Sequence, residues 1–470
     1  MSNKKEKTAG ELLAEKLLEK PRNAALIMSD EEIAEADKFC EGYKDFISRC
    51  KTERLACAEA VKRAEEAGYK PFDKSVKLSA GDKVYLNNRD KSVILAVIGK
   101  KPIIEGVRLC AAHIDSPRID LKQHPLYEDK EMALFKTHYY GGIKKYQWTT
   151  VPMALHGVVI KSDGSRVDIN IGEEVGEPQF CITDLLIHLA TEQMQRTLAQ
   201  GVKGEELNLL IGSRPFKDDK VSNKVKLNIM NIIYEKYGIT EHDFVSAELE
   251  IVPAYKGVDI GFDRSLVGGY GQDDRVCAYT ELEAILQVND PAYTCVAILT
   301  DKEETGSDGN TGLNSSYLPY FIDDLAEQQG VKGHNVLSNS LCLSADVNAA
   351  EDPTFSDVTE SRNASKINYG VVITKYTGSR GKSGTSDASA EYVGRIRSMM
   401  DNGGVIWQTG ELGKVDAGGG GTVAQYIANL DVDVIDVGVP VLSMHAPFEI
   451  TSKIDTYMAY KAFKVFFEDK

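Results

Sequence analysis

Five times along this chain a run of apolar, β-prone residues stops at an acidic residue or a histidine, and this recurrence limits the folds open to it. The first is Leu109-Cys110-Ala111-Ala112-His113-Ile114-Asp115, which follows the β-rich run from Ser92 to Ile98 and precedes a polar turn at Ser116-Pro117. Residues two apart on a strand share a side, so His113 and Asp115 emerge together. Next, Gly268-Gly269-Tyr270 leads into Gly271-Gln272-Asp273-Asp274-Arg275. The run Val296 to Thr300 ends in Asp301-Lys302-Glu303-Glu304, Leu341 to Ala345 ends in Asp346, and Val439 to Met444 ends in His445. Strand-like runs alternate here with helical patterns at Asn310 to Gln329 and Asp387 to Asn402. Such alternation predicts an α/β sheet covered on both faces. Catalytic groups in open α/β sheets gather at the carboxyl ends of strands, so five segments are expected to meet at one place.

The residue types suit a metal centre. Neutral imidazole and carboxylate both ligate divalent zinc, and a carboxylate beside a ligating histidine orients its ring. Two ions require a carboxylate to bridge them, and a general base must take a proton from water as it attacks a carbonyl. Glu303 and Glu304 can divide that labour, because adjacent side chains diverge. Each station also has a plainer reading, as a solvated turn, a surface salt bridge or an interior histidine; their ordered recurrence favours the site.

Around this core the chain changes texture. Residues 11 to 20 repeat apolar positions at helical spacing, and Ser29-Asp30-Glu31-Glu32 reads as the cap of one long helix reaching Ala67-Gly68. Roughly 125 to 250 is rich in Tyr, Trp, Thr and Val and reads as a mainly β insertion, with Val202 to Asp219 as an exposed loop. A chain of 470 residues is too long for one ordinary core. The expected division is a discontinuous catalytic unit over 1–122 and 251–470, and an inserted unit over 123–250.

Composition mainly excludes. A net charge of -16 argues against nucleic acid or an anionic membrane as partner. The charged opening residues lack the apolar core of a signal peptide and no later run is long and apolar enough to span a bilayer, which predicts a cytoplasmic protein. Eight scattered cysteines without a Cys-x-x-Cys fit reduced thiols. The chain carries no His-Glu-x-x-His, His-x-His, Gly-x-Ser-x-Gly or complete Walker loop.

The order His-x-Asp, Asp-Asp, Glu-Glu, Asp, His carries a resemblance, together with the texts His113-Ile114-Asp115-Ser116-Pro117, Asp301-Lys302-Glu303-Glu304-Thr305-Gly306-Ser307, Ser344-Ala345-Asp346 and Leu442-Ser443-Met444-His445. Across nearly the whole chain it resembles the M18 zinc aminopeptidases, the aspartyl aminopeptidase group. The resemblance implies a zinc-exopeptidase fold, a central mixed sheet flanked by helices, with a β-rich dimerisation insert that builds dimers and then a dodecamer. It implies two zinc ions, with manganese or cobalt as substitutes: His113 and Asp346 on one, Glu304 and His445 on the other, Asp273 bridging. Glu303 is then the general base, Asp115 orients His113, and His188 reaches a neighbouring subunit's site to stabilise the oxyanion. The alternative for His188 is a core histidine on an apolar helix.

The implied activity is release of N-terminal residues from peptides, with Asp or Glu the residues that the group's best-known members prefer. Rival readings are a metal-dependent deacylase or carboxypeptidase of the same clan and a non-catalytic self-assembling scaffold. This chain departs from many members of the family in having Asp274 where they carry asparagine, and in the text after Asp346. Lys375, Arg380 and Lys382 either supply a basic specificity pocket or form a basic surface loop. Gly418 to Gly421 before Thr422 either presents backbone N–H groups to a substrate or makes a tight turn.

Overall fold

A computed structural model of the chain describes residues 7–470, so most of the charged opening lies outside the described residues. The fold is mixed α/β, built on three sheets. At its centre strands Cys295–Thr300, Arg108–His113, Leu341–Ser344 and Asp433–Gly438 lie side by side and parallel. Antiparallel strands extend both sides, including Ser92–Val97 beside Cys295–Thr300 and Val371–Thr374 beside Asp433–Gly438, giving a nine-stranded mixed sheet. The four central strands read as continuous apolar runs because helices cover both faces. Cys110 and Ala112 point into a core with Phe46, Ala60, Val276 and Phe463, while Leu109 and Ala111 point into the opposite one with Leu318, Phe321 and Ile322.

A second, seven-stranded sheet is wholly antiparallel and is built from Arg118–Asp129 to Ala247–Pro253. A third, five-stranded sheet joins Leu266–Gly269 to Glu449–Ser452 and Pro440–Leu442. All eight cysteines are free. Among the described residues no helix is long and apolar enough to cross a membrane.

Local expectations fare unevenly. Ser29 caps its helix as expected: its hydroxyl accepts from Glu32 N at 3.2 Å, and the Glu32 carboxylate accepts from Ser29 N at 2.9 Å. The single long helix, however, is two, Asp30–Arg49 and Glu53–Glu66. Lys51 causes the break. Its buried ammonium donates to the carbonyls of Pro253 and Tyr255 and to Glu173, at 2.8, 2.7 and 2.9 Å, and Thr52 caps the second helix.

The stretch read as a loop over 202–219 contains the strand Leu209–Gly212, which pairs with Met132–Tyr140 and Cys181–Ile182. Leu207 and Leu209 are fully buried there, so apolar burial outweighs the charged flanks. A helix, Lys224–Tyr237, also interrupts the β-rich segment. The predicted helix over 11 to 20 runs Ala9–Leu17 and buries no residue.

Candidate active site

Parallel strands deliver the predicted residues to one edge. His113 ends its strand opposite Thr300, and Ser344 lies opposite Ala111 on one side and Asp436 on the other. The loops that follow carry Asp115, Glu303 with Glu304, Asp346 and His445 to the same end of the sheet. Asp273 joins them from the first turn of the helix Gln272–Leu286, where its backbone departs from helical angles and its peptide bond to Asp274 is cis.

Asp273 lies between the two histidines. Its Oδ1 is 3.2 Å from Nε2 of His113 and its Oδ2 is 3.0 Å from Nε2 of His445. His113, Asp273 and Asp346 bring ligand atoms within 4.8 Å of one another, and so do Asp273, Glu304 and His445. His113, Glu303 and Glu304 form a third such group. Ligand atoms around tetrahedral zinc, at bonds of about 2.0 to 2.2 Å, stand roughly 3.3 to 3.6 Å apart, so the Asp273 separations lie close to those of a shared coordination sphere. Glu304 Oε1, buried and without a hydrogen-bond partner, lies 3.7 Å from His445 Nε2. The donor set therefore fits two cations.

Backbone oxygens fix both imidazoles. His113 Nδ1 lies 3.0 Å from the carbonyl oxygen of Asp115, and His445 Nδ1 lies 2.8 Å from that of Gly142. A carbonyl only accepts, so each Nδ1 carries the proton and each Nε2 turns to Asp273. The Asp115 carboxylate places Oδ1 3.4 Å from His113 Nδ1. Its Oδ1 accepts from Glu303 N and its Oδ2 from Glu304 N, both at 3.2 Å, and Tyr140 Oη donates to Oδ2 at 2.7 Å.

Three further groups support the cluster, and of these Glu449 and Ser116 were not expected from the sequence. Glu449 joins two ligand segments: Oε1 accepts from His445 N at 2.8 Å, and Oε2 from Gln272 N at 2.6 Å and Asp273 N at 3.3 Å. Asp274 accepts from His113 N at 3.2 Å, and Ser116 donates to the Asp273 carbonyl at 2.6 Å. Glu449 opens its strand instead of ending it, and Ser116 lies in the turn after His113, so neither fits the pattern of an apolar run that stops at a ligand.

The protein's own charges leave the cluster strongly acidic. Burial, reinforced by neighbouring carboxylates, pushes Glu304 and Asp346 well above the usual carboxylate range and Glu303 up to about 7. Burial also opposes ionisation of Asp273, but hydrogen bonds from His113 and His445 outweigh it and hold Asp273 low. Burial disfavours charge on His445 as well; Asp273 and Glu304 outweigh it and raise the imidazole to about 10. A crowd of carboxylates lined, among the described residues, by imidazoles and by no lysine or arginine is what bound cations relieve.

The cluster opens into a cavity of about 440 Å³ whose far wall is Leu412, Gly419 to Thr422, Gln425 and Tyr426, with Val347, Met444 and Thr377 beside it. Among the described residues no lysine or arginine lines it. Lys375 and Lys382 both bind Asp387 at 2.8 Å, and Lys382 stacks on Tyr376 at 3.8 Å. Arg380 and Lys382 line a neighbouring cavity instead. His188 lies apart from the cluster, on an exposed turn at Ile187–Leu189, and is no core histidine.

The model of a known family, described as Aminopeptidase I zinc metalloprotease (M18), matches residues 46–467. The chain belongs to the M18 family of zinc metallo-aminopeptidases. A relative from Clostridium acetobutylicum named probable M18 family aminopeptidase 1 is 50% identical over 458 residues, covering 96% of this chain and 98% of its own. The crystal structure of an M18 aminopeptidase from Thermotoga maritima superposes with a TM-score of 0.92 at 43% identity, over 96% of this chain and 100% of that one. The mApe1 dodecamer of S. cerevisiae has the same fold at 19% identity, with a TM-score of 0.74 over 93% of this chain and 97% of that one. As an M18 enzyme the protein is a hydrolase that releases N-terminal residues, and the deacylase, carboxypeptidase and scaffold readings are set aside.

Proposed function

We propose that this M18 aminopeptidase works with two metal ions, His113 and Asp346 holding one, Glu304 and His445 the other, and Asp273 bridging them. The observation that carries this reading is the division of Asp273, one oxygen facing each histidine at 3.2 and 3.0 Å. Zinc is the ion the donor set and the family favour, with manganese or cobalt as substitutes. Bound there, zinc supplies Lewis acidity that polarises the scissile carbonyl and lowers the pKa of water.

Glu303 takes the proton of the attacking water and returns it to the departing amine. Asp115 holds that base in place through the Glu303 N–H, and holds Glu304 through the next one. His188 serves the site of a neighbouring copy. Its turn is flanked by Leu185, Leu186, Ile187 and Leu189, exposed by 54, 59, 62 and 73%, and a patch of that kind suits burial against another chain. This supports self-association through the segment 123–250. His188→Ala with full turnover would remove the assignment.

The cavity wall beyond the cluster, lined by Val347, Leu412 and Met444 and, among the described residues, by no lysine or arginine, supports preference for uncharged N-terminal residues over Asp or Glu. The test is a panel of aminoacyl anilides (Leu, Met, Lys, Asp, Glu) with an N-acetylated control, on zinc-loaded enzyme. Release led by Leu or Met, with none from the blocked substrate, is expected. Release led by Asp or Glu would overturn the preference, and cleavage of the blocked substrate would overturn the aminopeptidase chemistry.

A further inference from the structure

The strand Met132–Tyr140 of the seven-stranded sheet runs into Gly141 and Gly142, and this turn meets the metal cluster at three points. Tyr140 Oη donates to Asp115 Oδ2 at 2.7 Å. The Gly142 carbonyl accepts from His445 Nδ1 at 2.8 Å. Gly141, at φ +73°, lies so close to Glu304 that a Cβ there would stand 3.2 Å from its Oε2 and 3.3 Å from its Cβ. We infer that Tyr140-Gly141-Gly142 is a positioning element for both metal sites, and that Tyr140 is a positioning residue of the reaction, acting through Asp115.

The physical case starts from what Asp115 must do. One carboxylate sits behind His113 and accepts from the N–H groups of Glu303 and Glu304, so a small rotation of it moves a ligand and the base together. Tyr140 supplies the only side-chain hydroxyl bonded to that carboxylate among the described residues, and so opposes the rotation. The phenol is itself held. Tyr140 pairs with Arg118 across the antiparallel hairpin, and the Arg118 guanidinium lies 3.9 Å over its ring. Arg118 is tied in turn to Asp120 at 2.9 Å and to Glu250 at 3.4 Å.

At the other metal site the Gly142 carbonyl fixes which His445 nitrogen carries the proton, leaving Nε2 for the ion. Such supporting partners are worth about 10- to 100-fold in metal affinity or activity. The inserted sheet thus contributes geometry to the catalytic centre of its own chain.

This rests on the dinuclear reading, and the experiment separates the two. Tyr140→Phe removes only the hydroxyl. Co2+ is titrated into chelator-treated wild type, Tyr140→Phe and Tyr139→Phe, following affinity, the Co2+ absorption spectrum and kcat against KM. In Tyr140→Phe, Co2+ affinity and kcat are expected to fall by about 10- to 100-fold. Its spectrum changes, while KM and the thermal transition of the chelated protein hold. Tyr139→Phe, altered on an exposed ring, matches wild type. Wild-type affinity, spectrum and kcat in Tyr140→Phe would overturn the inference. Wild type taking up one Co2+ per chain would overturn the dinuclear reading alone, because weakening of that single ion still decides the role of Tyr140. Gly141→Ala, which crowds Glu304, is expected to lose Co2+ affinity as well; unchanged affinity there would count against the element as a whole.

Discussion

Two buried groups of carboxylates lie within a few residues of one another in this enzyme, and they are built on opposite principles. The first surrounds Arg118, whose guanidinium meets Asp120 at 2.9 Å, Glu250 at 3.4 Å and Glu53 at 3.5 Å, with Lys91 3.9 Å from Glu53. There burial, only partly offset by Arg118, and the charge of Glu53 push Glu250 well above the usual carboxylate range; at Glu53 the two cations outweigh burial. The second gathers Asp115, Asp273, Glu303, Glu304 and Asp346 around two histidines; among the described residues no lysine or arginine lines its cavity, and Arg118 acts on it at Asp115. A buried carboxylate beside its own cation is paired within the fold. Several carboxylates clustered with histidines and without such a cation suit ions from solution. What distinguishes site from scaffold here is therefore the missing counter-charge, since acidity and burial are common to both.

That contrast can be broken at several points. Glu303→Gln keeps the shape of the cluster but removes the base, so kcat falls by about 10²- to 10⁴-fold while zinc content stays unchanged. Parallel loss of zinc would instead make Glu303 a ligand. Arg118→Met strands the carboxylates of the scaffold group and lowers unfolding free energy by about 3 to 5 kcal/mol, read by urea unfolding of chelated protein. Because Arg118 also packs on Tyr140, stability rather than turnover is the readout. The smallest effect is in pH. A raised pKa means that Glu303 is protonated, and idle as a base, below that value, so kcat/KM rises with pH and then levels. The protein's own charges put that limb at about 7, and bound cations move it lower. A pH profile falling over the same range would contradict the role.

The proposed ligand set was legible because each member ends or follows an apolar strand, and parallel pairing of three such strands brings His113, Glu303 with Glu304, and Asp346 to one edge. The supporting residues were not. Tyr140, Gly142 and Glu449 act through hydrogen bonds to segments 25, 303 and 4 residues away, and nothing local to a tyrosine or glutamate distinguishes that use. The break between Asp30–Arg49 and Glu53–Glu66 was hidden for a similar reason, since it depends on carbonyls of Pro253 and Tyr255 that capture Lys51. The strand Leu209–Gly212 was masked by the charged residues around it. His188 is the converse case: its apolar neighbours suggested a buried helix, and they lie exposed on a turn.

The central claim is that the second group of carboxylates holds two ions bridged by Asp273. It is tested most directly by counting zinc per chain after dialysis, in wild type and in Asp273→Asn, with Leu-anilide turnover measured on the same samples. Two zinc ions per wild-type chain are expected, with Asp273→Asn losing both tight zinc binding and turnover. Full activity at one zinc per chain, or an Asp273→Asn enzyme that keeps two, would contradict the account.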